Sequence, residues 1–230
     1  MGNKILIVED ERSIGEILKY GLEKDGYEVE LAYNGEEALE KVNQLEFALI
    51  LLDIMLPGKD GFQVCREIRF SYSNLPIIMI TAKEEEVDKV LGLELGADDY
   101  ITKPFSVREV IARVKAVLRR TSEPMHTSHP LLKSGEIEIN LNTMEAFKNG
   151  REIELTFREF TLLTFLMQHK NHVFNRQQLL NEVWGYEYTG EDRTVDVMIR
   201  RLREKIEDDP AEPNYICTKR GIGYYFRRKE

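Results

Sequence analysis

Ala48-Leu49-Ile50-Leu51-Leu52-Asp53 is an unbroken apolar run closed by a carboxylate. A run this short and this apolar predicts a strand buried on both faces, as in a parallel sheet covered by helices. Its last residue, Asp53, then stands at the carboxyl end, where open α/β sheets hold their ligands. The pattern repeats on either side: Lys4-Ile5-Leu6-Ile7-Val8 runs into Glu9-Asp10, and Ile77-Ile78-Met79-Ile80 runs into Thr81. Strands are expected at 4–8, 28–32, 48–53, 77–81 and 100–102, separated by helical-period segments at 11–24, 35–44, 61–69, 84–95 and 106–120. Such alternation predicts βαβ units, hence a five-stranded parallel doubly wound α/β domain over residues 1–120. The last helix is the clearest, with Val107, Val110, Ile111, Val114, Val117 and Leu118 on one face and Ser106 with Glu109 reading as a capping box.

The chain has 230 residues and a net charge of −9, long enough for two domains that each bury a core. Residues 1–120 hold 16 Lys and Arg against 23 Asp and Glu, whereas residues 121–230 hold 16 against 18. That balance excludes general adhesion to nucleic acid but leaves room for local basic clusters in the second half. Cys65 and Cys217 form no CxxC and have no histidine cluster beside them, so a zinc site is not indicated and a reducing cytoplasm fits. No signal-peptide pattern and no apolar run near the ~18 residues of a membrane span is present, so no membrane partner is expected. Residues 121–130, with two prolines and no periodicity, read as a linker. Beyond it short strands near 131–134, 136–140, 144–148 and 151–154, the turn signal Asn149-Gly150, three helical segments and a hairpin over 215–226 predict a second, α+β domain over 131–230.

Glu9, Asp10 and Asp53 gathered at one sheet edge would repel one another unless a hard divalent cation neutralised them, and Mg²⁺ suits an all-oxygen site of this kind. Lys103, just past the fifth strand, adds a fixed positive charge, and Thr81 a hydroxyl. Carboxylates, metal, hydroxyl and ammonium together describe a site where a phosphoryl group is transferred onto Asp53. Taken singly the same residues have ordinary roles: a strand-end Asp as a turn residue, Thr81 as a helix N-cap, Lys103 as a solvated loop residue. Their coincidence on consecutive strand ends favours the shared chemistry.

Glu9-Asp10, Asp53 with Met55, Pro57 and Gly61, Thr81-Ala82 and Lys103-Pro104, in this order and spacing, resemble the receiver domain of bacterial two-component response regulators. The resemblance implies that Asp53 accepts phosphate from a sensor histidine kinase. It also implies that Asp10, Asp53 and the Met55 carbonyl bind Mg²⁺ with Glu9 acting through water, and that Thr81 and Lys103 engage the aspartyl phosphate, with a cis bond at Pro104. Thr81 and Tyr100 would be the switch pair. In the OmpR/PhoB-like subfamily the fourth helix, fifth strand and fifth helix form a dimer face, implying here Lys89, Asp98, Asp99, Glu109 and Arg113, with Asp99 meeting Arg113 and Lys89 meeting Glu109 between protomers. Read without the family, these residues are a solvated face whose pairs contribute little.

In the second half, Val195, Ile199, Leu202 and Ile206 share one stripe of a helix over 193–206, and Arg193, Val197, Arg200 and Arg201 lie roughly opposite. Such a helix can dock on a core and enter a major groove, although the same pattern serves as a plain exposed basic face. With 175–185 as a preceding helix and Cys217-Thr218-Lys219-Arg220-Gly221-Ile222-Gly223-Tyr224 as a basic hairpin tip, the segments make a winged helix-turn-helix. Leu155 to Phe160, Arg176 to Leu180, Arg193-Thr194-Val195-Asp196 and Arg220 to Tyr224 resemble the OmpR/PhoB effector domain. That resemblance implies promoter DNA as partner, with direct repeats about one helical turn apart. Arg193, Thr194, Val197, Arg200, Arg201, Arg203 and the wing-tip Arg220 would face the duplex; the loop from Trp184 to Glu191 serves in its plain role to close the chain between two helices, and the resemblance also permits it to contact RNA polymerase. The whole then reads as a transcription factor in the cytoplasm rather than an enzyme. A haloacid-dehalogenase-like phosphatase needs a second acid two residues after the nucleophile, where Met55 stands, and a dinucleotide enzyme needs GxGxxG where Glu9-Asp10-Glu11 stands. A receiver controlled by a protein partner without phosphorylation remains the third reading.

Overall fold

A computed structural model describes residues 3–81, 92, 95–122, 131–184 and 193–229, arranged as two compact units, Met1–Ser122 and Glu123–Glu230. In the first unit β1 (Lys4–Val8), β2 (Glu28–Ala32), β3 (Leu49–Asp53), β4 (Ile77–Thr81) and β5 (Asp99–Thr102) form one sheet in the order β2-β1-β3-β4-β5. Every pairing is parallel, and β3 and β4 are buried along their whole length, as their unbroken apolar sequences require. The registers Val8↔Leu52, Asp53↔Ile80 and Thr81↔Thr102 align the strands' carboxyl ends. Glu9, Asp53, Thr81 and Lys103 therefore emerge along one edge, and the chain reverses direction across the sheet between β1 and β3, the position at which doubly wound sheets open a crevice.

The helices are α1 (Arg12–Lys24), α2 (Gly35–Gln44), α3 (Gly61–Ser71) and α4 (Val107–Ser122), with α1 packed on α4 and α2 on α3. Asn34 caps α2 by accepting from the Glu37 N–H, and Asp60 caps α3 by accepting from Gln63. Ser106 accepts from the Glu109 N–H at the start of α4, while the Glu109 carboxylate turns to Arg113 one turn on, so the expected box has one arm. A Cβ on Gly61 would overlap the Asp53 carbonyl oxygen, so this glycine lets α3 start directly against the end of β3. The helix expected over 84–95 falls almost wholly outside the described residues.

The second unit opens with an antiparallel sheet of β6 (Leu131–Ser134), β7 (Ile137–Asn140), β8 (Glu145–Lys148) and β9 (Arg151–Ile153). Asn149 and Gly150 both have positive φ at the β8–β9 turn, as the Asn-Gly pair requires. There follow α5 (Phe157–Gln168), α6 (Arg176–Leu179) running into a wider π turn at Leu180–Trp184, α7 (Arg193–Ile206), and the hairpin β10 (Ile216–Lys219) with β11 (Gly223–Phe226). The full capping box of Thr156 and Glu159 starts α5, and Asn175 with Gln178 forms another at α6. Phe174 exchanges both backbone hydrogen bonds with Tyr224, which fastens the hairpin beside α6. A Cβ on Gly223 would overlap the Phe174 carbonyl, so the close approach depends on a glycine there.

Candidate functional site

The sheet edge of the first unit gathers the residues that the strand ends promised. Asp53 and Glu9 are each 1% exposed, and Lys103 Nζ lies between them, 2.6 Å from Asp53 Oδ2 and 2.8 Å from Glu9 Oε2. The Met55 N–H donates to Asp53 Oδ1 at 2.9 Å, so both carboxylate oxygens are held. Asp10 is exposed at the rim, and one oxygen from each of Glu9, Asp10 and Asp53 falls within a span of 4.8 Å. An all-oxygen set of this charge fits a hard divalent cation. Burial pushes the Glu9 carboxyl up to about 7, with Asp53 adding to the rise and Lys103 opposing it. Burial works against the Lys103 ammonium as well, but its hydrogen bonds to Asp53 and Glu9 prevail and raise its pKa. The ammonium therefore stays charged and acts as the resident counter-ion of the cleft. The Lys103-Pro104 bond is cis, as the sequence resemblance implied.

Thr81 is buried at the end of β4, and Tyr100, opposite Met79 on β5, is buried as well. At the opposite edge of the sheet Asp98 is fully buried: its Oδ2 accepts from Arg69 of α3 at 2.7 Å and from the Ile77 N–H at 2.9 Å. Arg69 also donates to the carbonyls of Gly96, Tyr72 and Leu75, so one guanidinium ties α3 to the starts of β4 and β5. Asp99 is 2% exposed and meets Arg113 at 3.2 Å within the same chain, and Arg113 also meets Glu109 at 3.0 Å. The Asp99–Arg113 contact expected across a dimer is thus closed inside one protomer, and Asp98 is engaged with Arg69. Lys89 lies outside the described residues.

In the second unit α7 presents Arg193, Arg200 and Glu204 to solvent, with Asp196 and Arg203 partly exposed on the same stripe. Two residues assigned outward by the helical wheel turn inward: Val197 is 7% exposed, and Arg201 lies against the buried Glu159 at 2.9 Å. Glu159, completing the cap of α5, also takes Lys205 at 2.7 Å. A wheel sorts residues by apolarity and so misplaces a cation that a buried acid draws in. Arg158 is 1% exposed, donates to the Val183 carbonyl and stacks on Trp184. Thr194 is buried, and Arg220 stands exposed at the hairpin tip beside Gly221, whose φ is +74°. Arg203 donates to the Ile216 carbonyl and the Thr218 hydroxyl, joining α7 to β10.

Residues 5–115 match the response regulator receiver domain, and residues 150–226 match the C-terminal domain of transcriptional regulatory proteins. The solved structure of DrrB, an OmpR/PhoB homologue from Thermotoga maritima, is 34% identical over 99% of this chain and 100% of its own, with a TM-score of 0.54. The chain belongs to the OmpR/PhoB family of response regulators. A point mutant of RitR is 31% identical over 99% of this chain and all of its own, with a TM-score of 0.80. A two-component response regulator from Clostridium difficile, 38% identical, covers 52% of this chain with 98% of its own at a TM-score of 0.51. An OmpR/PhoB-type chain is a transcription factor in which a receiver governs a DNA-binding domain, and the acidic edge and the winged helix are those two parts.

Sequence reasoning missed three sites within this OmpR/PhoB frame. They are the Arg69–Asp98 tie, the Glu159 cluster, and Glu207, whose carboxylate caps the N–H groups of Asn214, Tyr215 and Ile216 at the foot of the hairpin. Each joins elements through charged side chains whose partners no local periodicity identifies.

Proposed function

We propose that the protein is switched by phosphorylation of Asp53 from the phosphohistidine of a sensor kinase, and that the modified form dimerises and binds direct-repeat promoter DNA in the cytoplasm. The observation that carries this reading is Lys103 Nζ placed 2.6 Å from a buried Asp53 carboxylate, with Glu9 and Asp10 beside it. A carboxylate oxygen of Asp53 attacks phosphorus, the P–N bond to the imidazole breaks, and the imidazole leaves with the electron pair. Glu9, Asp10, Asp53 and the Met55 carbonyl would hold Mg²⁺, which supplies charge neutralisation at the phosphoryl oxygens. Lys103 holds one Asp53 oxygen now and is within reach of the aspartyl phosphate once it forms. Thr81, at the next strand end, offers its hydroxyl to that phosphate, and Tyr100 follows Thr81 as the partner that shifts.

Dimerisation uses the face of Lys89, Asp98, Asp99, Glu109 and Arg113, and the intrachain Asp99–Arg113 pair is then exchanged for an interchain one. Arg193, Thr194, Val197, Arg200, Arg201, Arg203 and Arg220 form the DNA-facing set, of which Arg193, Arg200 and Arg220 are the most exposed. The segment after Trp184 contacts RNA polymerase. One solved relative, 31% identical with a TM-score of 0.50, is described as belonging to redox sensors in the streptococci that evolved from two-component response regulators. Control by a thiol has little support here, since Cys65 and Cys217 are both buried.

Incubation with acetyl phosphate and Mg²⁺ should add one phosphoryl group to the wild type and none to Asp53→Asn, measured by intact mass. DNA affinity measured on selected promoter fragments should rise with the modification, and equal affinity before and after would overturn the switch.

A further inference from the structure

Asp196 is the acidic residue in the middle of the exposed stripe of α7, between Arg193 and Arg200. An unpaired carboxylate facing a phosphate backbone would oppose binding. Here it is not unpaired: Oδ1 accepts from Arg176 Nε and from the Tyr224 hydroxyl, both at 2.8 Å. Arg176 closes the ring with a 3.2 Å bond to the same hydroxyl. The Tyr224 ring lies against both Arg176 and Arg203, with guanidinium carbons 5.2 and 5.7 Å from its centroid. Burial first, then the bond to Asp196, raises the Tyr224 pKa, so the hydroxyl keeps the proton it donates. Three elements, α6, α7 and β11, thus converge on one carboxylate oxygen.

Every one of these bonds falls on Oδ1. Oδ2 accepts no hydrogen bond among the described residues, and the side chain of Asp196 is 42% exposed. A half-exposed carboxylate oxygen, fixed in direction and flanked by arginines that offset its charge, suits a hydrogen-bond donor carried by the DNA itself. In the major groove those donors are exocyclic amino groups, N4 of cytosine and N6 of adenine, and a carboxylate pairs most simply with cytosine.

We propose that Asp196 reads an exocyclic amino group in the major groove through Oδ2, and that Arg176 and Tyr224 are positioning residues that hold it for that purpose. This rests on the DNA-binding reading above. It gives the domain a negative reader among its arginines, and it couples base recognition to the seating of the wing, because Tyr224 belongs to the hairpin.

The test is selection of random duplex DNA by the full-length, acetyl-phosphate-treated chain, comparing wild type, Asp196→Ala and Tyr224→Phe. Wild type should enrich a site containing, in each repeat, a base pair with an amino donor on the read strand, and the enriched base tells cytosine from adenine. Asp196→Ala should lose that preference by roughly 5- to 100-fold while keeping the others, in line with the cost of one mismatched pair. Tyr224→Phe keeps the ring and its stacking, so it should weaken the same position alone, with thermal unfolding close to wild type. If Asp196→Ala keeps every preference, or loses affinity equally for all sequences, the assignment is overturned. If Asp196→Ala fails to fold, Tyr224→Phe decides, and an unchanged preference in that variant overturns the proposal equally. A wild type that enriches no sequence at all overturns the DNA-binding reading and this assignment with it.

Discussion

Replacing Lys103 by Met tests the electrostatics of the acidic edge directly, because the thioether keeps most of the bulk and removes the charge. The ammonium is the cation that Glu9 and Asp53 share, and their side chains are 1% and 2% exposed. Removing one member of a buried ion pair costs about 3–5 kcal/mol. The Lys103 side chain itself is 21% exposed, so water can enter and the lower end of that range is expected. The loss should depend on pH. Glu9 has a folded pKa of about 7 against an ordinary 4.5, so between those values the folded state binds the extra proton and stability falls as pH rises. At about 1.4 kcal/mol per pH unit that window is worth about 3 kcal/mol in the metal-free wild type. Lys103 is what opposes the upward shift, so in Lys103→Met the Glu9 pKa rises further and the carboxyl is more strongly held neutral. At pH 5 a protonated Glu9 tolerates the missing ammonium; at pH 8 it does not. Urea unfolding at both pH values, with and without Mg²⁺, measures the difference. Trp184, the sole tryptophan, lies in the second unit, so its fluorescence reports that unit and circular dichroism reports both. A loss of about 3 kcal/mol at pH 8, smaller at pH 5 and reduced by Mg²⁺, is expected. Equal losses at both pH values with no effect of Mg²⁺ would show that Lys103 acts through packing and refute the reasoning.

Gly61→Ala should destabilise the first unit by about 2 kcal/mol and slow phosphorylation from acetyl phosphate, since the added methyl displaces the carbonyl of Asp53 itself; an unchanged rate by intact-mass time course would contradict the close approach. Asp98→Asn leaves Arg69 buried without its counter-charge and should cost about 3 kcal/mol in urea unfolding, whereas a loss below about 0.5 kcal/mol would mean that the guanidinium is satisfied by the three carbonyls alone. Arg113→Glu faces both Asp99 and Glu109 with a like charge and should abolish phosphorylation-driven dimerisation in sedimentation velocity; a dimer of unchanged affinity would place the interface elsewhere.

The acidic edge was legible because each of its members ends a strand, and strand ends can be read from an apolar run and its first polar residue. Asp53 needed only Ala48 to Leu52 before it, and the parallel register carried Glu9, Thr81 and Lys103 to the same level. The helices were legible from their apolar period, α4 most clearly, whereas the capping boxes at Thr156 and Asn175 came only with the structure. What stayed hidden depends on pairs far apart in sequence. Arg69 and Asp98 are separated by 29 residues and Arg176 and Tyr224 by 48, and nothing in either neighbourhood shows that one needs the other. Arg201 is the instructive failure: its place on the wheel predicted solvent, and a buried acid on another helix decided otherwise. Asp98 and Asp99, which read without the family as part of a solvated face, are among the most buried polar residues of the first unit, each held by an arginine.

The two cations that close on Glu159 also bear on how this protein should respond to salt. Each lysine or arginine that neutralises a DNA phosphate releases a condensed counterion, and the slope of affinity against salt counts them, at about 0.9 per contact. Arg201 and Lys205 both stand on α7, the helix proposed to enter the groove, and share the single carboxylate of Glu159, which offsets one of their two charges inside the fold. Adding up the basic residues of that helix therefore overstates the electrolyte sensitivity by about one ion. On the DNA-binding reading proposed above, a domain so built holds more of its affinity as ionic strength rises.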